Sequence, residues 1–121
     1  MPTVLIVDDD PAQLQLCRLI LQSVPCRIVT TQTTDDALRM LATIKPDLLM
    51  LDFFMPNMNG LDLLRVIRQD ERFKTMLVLG MTAAPDMIEK DDAKLWDALI
   101  IKPFEVDKLR SVVRVMLNLT A

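Results

Sequence analysis

Five short strand-like runs punctuate the chain: four apolar ones, Val4-Leu5-Ile6-Val7, Leu48-Leu49-Met50-Leu51, Met76 to Met81 and Ala98 to Ile101, and a β-branched one, Cys26 to Thr31. Uninterrupted hydrocarbon over so few residues reads as strands covered on both faces, not as buried helices. The intervening segments carry apolar residues at helical spacing. Asp10-Pro11 supplies an N-cap and a first-turn proline, and Leu14, Cys17 and Leu21 keep one face apolar to about Val24, where Pro25 stops the helix. Thr34-Asp35-Asp36 opens a second helix with Ala37, Leu38, Leu41 and Ile44 inward, closed by Lys45-Pro46. Gly60 begins a third, with Leu61, Leu64 and Ile67 inward and Arg65, Arg68 and Gln69 outward. Asp86 to about Leu95 is acidic and helix-compatible, with a thin apolar face; the last helix starts at Glu105 and turns Val106, Leu109, Val113 and Met116 to the core.

Strands alternating with helices predict βαβ units, right-handed crossovers and one α/β domain spanning residues 1–121, a doubly wound five-stranded parallel sheet with helices on both faces. There is no internal repeat, low-complexity tract or linker. In such a sheet the carboxyl ends of all strands share one edge, where open α/β folds place ligands. Four of the five runs stop there on chemistry: Asp8 and Asp9 after the first, Asp52 after the third, Thr82 after the fourth and Lys102 after the fifth. One strand-end aspartate alone would read as a solvated cap. Three carboxylates together repel, and burying them unpaired costs several kcal/mol or so each. A hard divalent cation on oxygen ligands relieves that cost, and Mg²⁺ is the ion such a cluster suits. With Lys102 opposite, the set suits phosphoryl transfer to a carboxylate, Asp52 being the best-placed nucleophile and Thr82 a hydroxyl donor.

Composition narrows the alternatives. The chain has 121 residues, 51% hydrophobic and 26% charged, enough to bury a core without staples. With net charge −3 there is no basic field for nucleic acid or an anionic membrane, so direct nucleic-acid binding is not expected. The absence of histidine leaves zinc sites and histidine catalysis without candidates, and Cys17 and Cys26 fall in no paired motif. No run is long enough to span a bilayer and no basic leader precedes the first strand, so a cytoplasmic location is expected.

VLIVDDDP, LLMLDFFMPNMNG, LGMTAA and IIKPF, in this order and approximate spacing, resemble the receiver domain of two-component response regulators, the family that includes the bacterial chemotaxis regulator. The resemblance covers essentially the whole chain. It implies a flavodoxin-like sheet of strand order 2-1-3-4-5, and phosphoryl transfer to Asp52 from a histidine kinase or phosphotransfer protein. It further implies Mg²⁺ held by Asp8, Asp9, Asp52 and the backbone carbonyl of Phe54, with Thr82 and Lys102 on the phosphoryl group. Pro56 and Gly60 match the family's loop after the acceptor, and the Lys102-Pro103 bond is expected to be cis. Such a module switches a surface around its fourth helix, fifth strand and fifth helix, and is not an enzyme acting on an external substrate.

The chain departs from the family where the switch is read. Leu99 stands where the family has Tyr or Phe, and Leu95-Trp96 where Gly-Ala is usual; the stretch from Thr82 to Lys102 is short, predicting a short or irregular fourth helix. A bulky Phe54 with Ala84 opposite either shields the acyl phosphate, which predicts slow self-dephosphorylation, or merely points to solvent. Val112, Val115 and Leu119 form a second apolar stripe on the last helix, which with Trp96 suits either a homodimer or output partner, or a broad buried face. Met55 and Met58 suit either an adaptable docking surface or plain core. An alternative reading is a receiver-fold interaction module that works without phosphorylation. A haloacid-dehalogenase-type phosphatase is disfavoured, because the residue two after Asp52 is Phe54 and not a second aspartate.

Overall fold

A computed structural model describes residues 1–55 and 58–119; Pro56, Asn57 and the side chain of Met58 lie outside the described residues, and with them the expectations attached to those positions. Strands β1 (Thr3–Val7), β2 (Arg27–Thr31), β3 (Leu48–Asp52), β6 (Leu77–Thr82) and β7 (Ala98–Ile101) form one parallel sheet in the order β2-β1-β3-β6-β7. The two-residue strands β4 (Phe54–Met55) and β5 (Met58–Asn59) pair only with each other, in an antiparallel ribbon. Counting the sheet strands alone, the order is the expected 2-1-3-4-5.

The period-2 alternation of buried strands divides the core into two layers. Val4, Ile6, Leu48, Met50, Leu79 and Met81 face helices α1 (Pro11–Leu21) and α4 (Val106–Met116). Leu5, Val7, Leu49, Leu51 and Val78 face α2 (Thr34–Ile44) and α3 (Gly60–Gln69) on the other side. Helix starts follow local chemistry: the Asp10 carboxylate accepts from Ala12 N–H, Thr33 from Asp36 N–H, and Asn59 from Leu61 and Asp62 N–H. Helix α2 closes on Lys45 in the left-handed region, φ 51°, before Pro46.

Several expected boundaries and faces shift. Helix α1 ends at Leu21, not Val24, because the residue before Pro25 is pushed out of helical geometry and residues 22–24 close in tight turns. Leu38 is 41% exposed and Val106 45%, each lying at the margin of its helix's buried arc. No α-helix lies between β6 and β7: residues Pro85–Met87 and Lys90–Lys94 form two 3₁₀ turns, as a stretch whose single buried residue is Asp92 cannot present an apolar face at helical spacing. Arg68 does not point outward. Its guanidinium donates to the carbonyls of Leu95, Phe73, Lys74 and Met76 and pairs with Asp97. On α4, Val112 packs on the core while Val115 stays 63% exposed; Leu119 lies beyond the helix end and packs on the same core, and Trp96 packs on the opposite face of the sheet against Phe53. Of the two readings of that stripe, the joint patch of Trp96 with the last helix therefore does not form.

Candidate functional site

The sheet's carboxyl edge gathers the polar strand ends. Asp8 follows β1 and is almost fully buried, with Oδ1 accepting from the backbone of Asp10; Asp9 is half-buried. Asp52 ends the central strand β3, its Oδ1 accepting from Phe54 N–H at 3.2 Å. One oxygen from each of Asp8, Asp9 and Asp52 lies within 4.8 Å of the others. Lys102, immediately after β7, places Nζ 3.0 Å from Oδ2 of Asp8 and 3.0 Å from Oδ2 of Asp52. Its backbone N–H donates to the carbonyl of Thr82, tying the ends of β6 and β7, and the Lys102-Pro103 bond is cis. Thr82 is fully buried; its hydroxyl oxygen accepts from Ala84 N–H, which leaves the hydroxyl proton free to be donated elsewhere.

Backbone fit holds strand β3 in place. A Cβ on Gly60 would lie 2.1 Å from the carbonyl oxygen of Asp52, so only glycine lets α3 start this close, and Gly60 N–H donates to the Phe53 carbonyl. Phe53 N–H donates to Met81, which locks β3 to β6 beside Asp52. The electrostatics are those of an incompletely neutralised anionic cluster. Burial raises the Asp52 carboxyl above its ordinary value, with Asp8 adding to the rise and Lys102 and the Phe54 amide working against it. For Lys102 burial acts downward, but the hydrogen bonds and charges of Asp8 and Asp52 outweigh it, so the ammonium is held more firmly than usual. Three carboxylates facing one ammonium fit a further cation on oxygen ligands; the donor set is hard, compact and anionic.

The structure thus brings together Asp8, Asp9, Asp52 and Lys102, and closes the same edge with Thr82. Phe54 is half-buried and packs against the α2–α3 layer, its amide directed at Asp52. Sequence reading missed the support of the site's flank. Arg65 bridges Asp62 and the buried Asp92, while Arg68 gathers the turn before β6 and the segment before β7 onto α3. It also missed how Phe53 is seated: a Cβ on Gly80 would lie 2.1 Å from the Phe53 ring. A glycine inside an apolar strand was the available signal for such a close approach.

A five-stranded 2-1-3-4-5 parallel sheet with an acidic group and a lysine at its carboxyl edge defines a flavodoxin-like α/β domain with a candidate cation site. Residues 4–114 match the family described as response regulator receiver domain, and the chain belongs to it. Its relatives include the "DNA-binding dual master transcriptional regulator RpaA" of Synechocystis, 32% identical across 99% of this chain and 51% of the relative. The "DNA-binding response regulator MtrA" of Mycolicibacterium smegmatis is 29% identical across 95% of this chain and 50% of the relative. The chain spans about half the length of these curated relatives. Among solved structures, the signal receiver domain of a signal transduction histidine kinase from Syntrophus aciditrophicus superposes with TM-score 0.82 at 27% identity, covering 98% of this chain and 91% of that one. A CheY-like receiver domain from Methylobacillus flagellatus gives TM-score 0.85 at 22% identity, covering 96% and 98%, and bears on the fold alone.

These matches make the chain a receiver domain of the two-component response-regulator family, a signalling domain and not a classical enzyme. They also correct the expectation of no nucleic-acid binding, since relatives of this chain are DNA-binding regulators. That expectation came from an acidic surface, and net charge here speaks only for the receiver-length stretch, about half of such a protein. No helix among the described residues is long and apolar enough to cross a membrane.

Proposed function

We propose that residues 1–121 act as one phosphorylation-controlled, cytoplasmic receiver unit in which Asp52 accepts a phosphoryl group from a histidine kinase or phosphotransfer protein. The observation that carries this reading is the position of Asp52, with one oxygen 3.0 Å from the Lys102 ammonium and the carboxylate within 4.8 Å of those of Asp8 and Asp9. An Asp52 oxygen forms the new O–P bond while the N–P bond to the donor imidazole breaks, the electron pair leaving with that nitrogen. Lys102 neutralises charge on the transferred group, and the Thr82 hydroxyl donates to one of its oxygens. Asp8, Asp9, Asp52 and the Phe54 carbonyl would hold Mg²⁺, which when bound supplies the positive charge that two buried acids and a phosphoryl group together require. Phe54, half-buried with its amide on Asp52, and Ala84 two residues after Thr82 support slow loss of the phosphoryl group to water. The DNA-binding relatives support a nucleic-acid output for the protein this receiver serves.

A second reading is a receiver-fold interaction module independent of phosphorylation. Leu99 at the usual aromatic position and the 3₁₀ turns in place of a fourth helix favour it. Beryllofluoride with Mg²⁺ separates the two. Stable incorporation, seen as fluorine resonances of the bound complex and lost in Asp52→Ala, is expected for the acceptor; no incorporation into a folded wild type favours the interaction module.

A further inference from the structure

The residue after the acceptor is tied to the segment before β7 by a contact confined on every side. Phe53 is fully buried, and its ring occupies the hollow left by Gly80 on the neighbouring strand. Across that ring lies Trp96, with centroids 5.0 Å apart and planes tilted by 49°, a favourable aromatic geometry. Leu99 packs in the same layer as an aliphatic filler.

Trp96 directly follows a stretch whose apolar side chains are exposed, as Met87, or only partly buried, as Ile88 and Leu95. The 3₁₀ turn Lys90–Lys94 buries only Asp92, and α3 holds it through Arg65 to Asp92 and Arg68 to the Leu95 carbonyl. A stretch held by polar contacts, with few buried side chains, is one whose opening costs little relative to global unfolding. Trp96 ties this stretch to the core together with Ile88 and Leu95, and it is Trp96 that meets the Phe53 ring. That tie ends on the residue covalently attached to Asp52.

We propose that the stacked Phe53–Trp96 pair, acting in place of an aromatic at position 99, relays the state of Asp52 to residues 85–95, with Trp96 as the positioning residue. The relay rests on the acceptor role of Asp52. A change at Asp52 shifts the backbone of Asp52-Phe53. The Phe53 ring has no free volume on its Gly80 side, so the shift is passed to Trp96 and loosens or re-seats the turn that α3 holds. Leu99 has no ring to stack on this pair and is given no part in the relay.

The test follows hydrogen exchange of residues 85–95 by mass spectrometry, before and after acetyl phosphate with Mg²⁺, in the whole chain. Intact mass reports phosphoryl uptake in the same samples. Trp96→Leu and Trp96→Phe are compared with wild type, and Trp96 emission (the chain's only tryptophan) is followed in wild type and Leu99→Ala. Wild type is expected to take up the phosphoryl group with a change in exchange across 85–95 and a shift in Trp96 emission. Trp96→Leu is expected to be phosphorylated equally and lose the exchange response; Trp96→Phe, which keeps a ring on Phe53, retains it, and Leu99→Ala keeps the emission shift. Phosphoryl uptake with an unchanged segment in wild type, or an undiminished response in Trp96→Leu, overturns the relay and leaves the acceptor reading standing. Absence of uptake in wild type overturns both.

Discussion

The ammonium of Lys102 sits 3.0 Å from an Asp52 oxygen while making the same 3.0 Å contact with Asp8, so one buried cation serves two buried anions. Removing it leaves both carboxylates without a counter-charge. Lys102→Met is therefore expected to lower unfolding free energy by about 3 kcal/mol in Mg²⁺-free buffer, the low end for a broken buried pair because a carboxylate can take up a proton. Mg²⁺ should then stabilise Lys102→Met more than wild type, since a ligand binding only the folded state adds stability by mass action. Urea melts with and without the ion check both; equal stability without Mg²⁺ would contradict the electrostatic account.

Gly80 and Phe53 form a size-matched pair. A methyl group at position 80 would overlap the Phe53 ring, which Trp96 keeps from retreating. Gly80→Ala is expected to cost about 1–3 kcal/mol by overpacking, and Phe53→Leu made in the same chain to recover part of it. A double-mutant cycle in chemical denaturation measures the coupling; strict additivity of the two changes would show that the ring is free to move.

Arg68 behaves as a structural clamp despite its charge. Four carbonyls and Asp97 surround a side chain that is only 15% exposed. Arg68→Ala should cost about 3 kcal/mol by leaving several acceptors unpaired, and Arg68→Lys should recover only a part, as an ammonium cannot reproduce the planar fork. The loss should concentrate in hydrogen exchange at residues 73–76 and 95–97. A change within about half a kcal/mol would place Arg68 among ordinary surface residues.

Cys17 gives the fold a pH dependence at the alkaline end. Burial, helped by the charge of Asp8 and partly opposed by Lys102, pushes its thiol up to about 11 from 9.0. Between those values the unfolded chain has released a proton that the folded chain keeps, so stability falls as pH rises through the window. The stability lost between about pH 8 and pH 11 should be smaller in Cys17→Ala than in wild type by about 2 kcal/mol. Identical pH profiles would mean the thiol ionises freely in the folded state.

The strands and their polar ends were legible because hydrocarbon runs of strand length stop abruptly on Asp8, Asp52, Thr82 and Lys102, and topology alone then places those residues on one edge. Spacing could not foresee Arg68 turning inward: periodicity assigns a side chain to a helix face, but a long arginine reaches round the helix end to carbonyls contributed by other segments. The failed fourth helix was partly visible in its thin apolar face. What replaced it, two arginine clasps and a tryptophan on Phe53, depends on contacts some 27 to 43 residues apart in sequence (Arg65 to Asp92, Phe53 to Trp96) that no local pattern encodes. The acidic composition misled on nucleic acid for a different reason, since charge describes the stretch at hand and not the longer proteins to which such stretches belong.

The account turns on Asp52 as the atom-level destination of a phosphoryl group. Intact-protein mass spectrometry after incubation with acetyl phosphate and Mg²⁺ tests this most directly, with Asp52→Ala alongside. Wild type should gain the mass of one phosphoryl group, lose it on chelation of Mg²⁺ before the donor is added, and the gain should be absent from Asp52→Ala. An unmodified wild type that is folded and Mg²⁺-replete, or an Asp52→Ala chain that gains the same mass, would contradict the account.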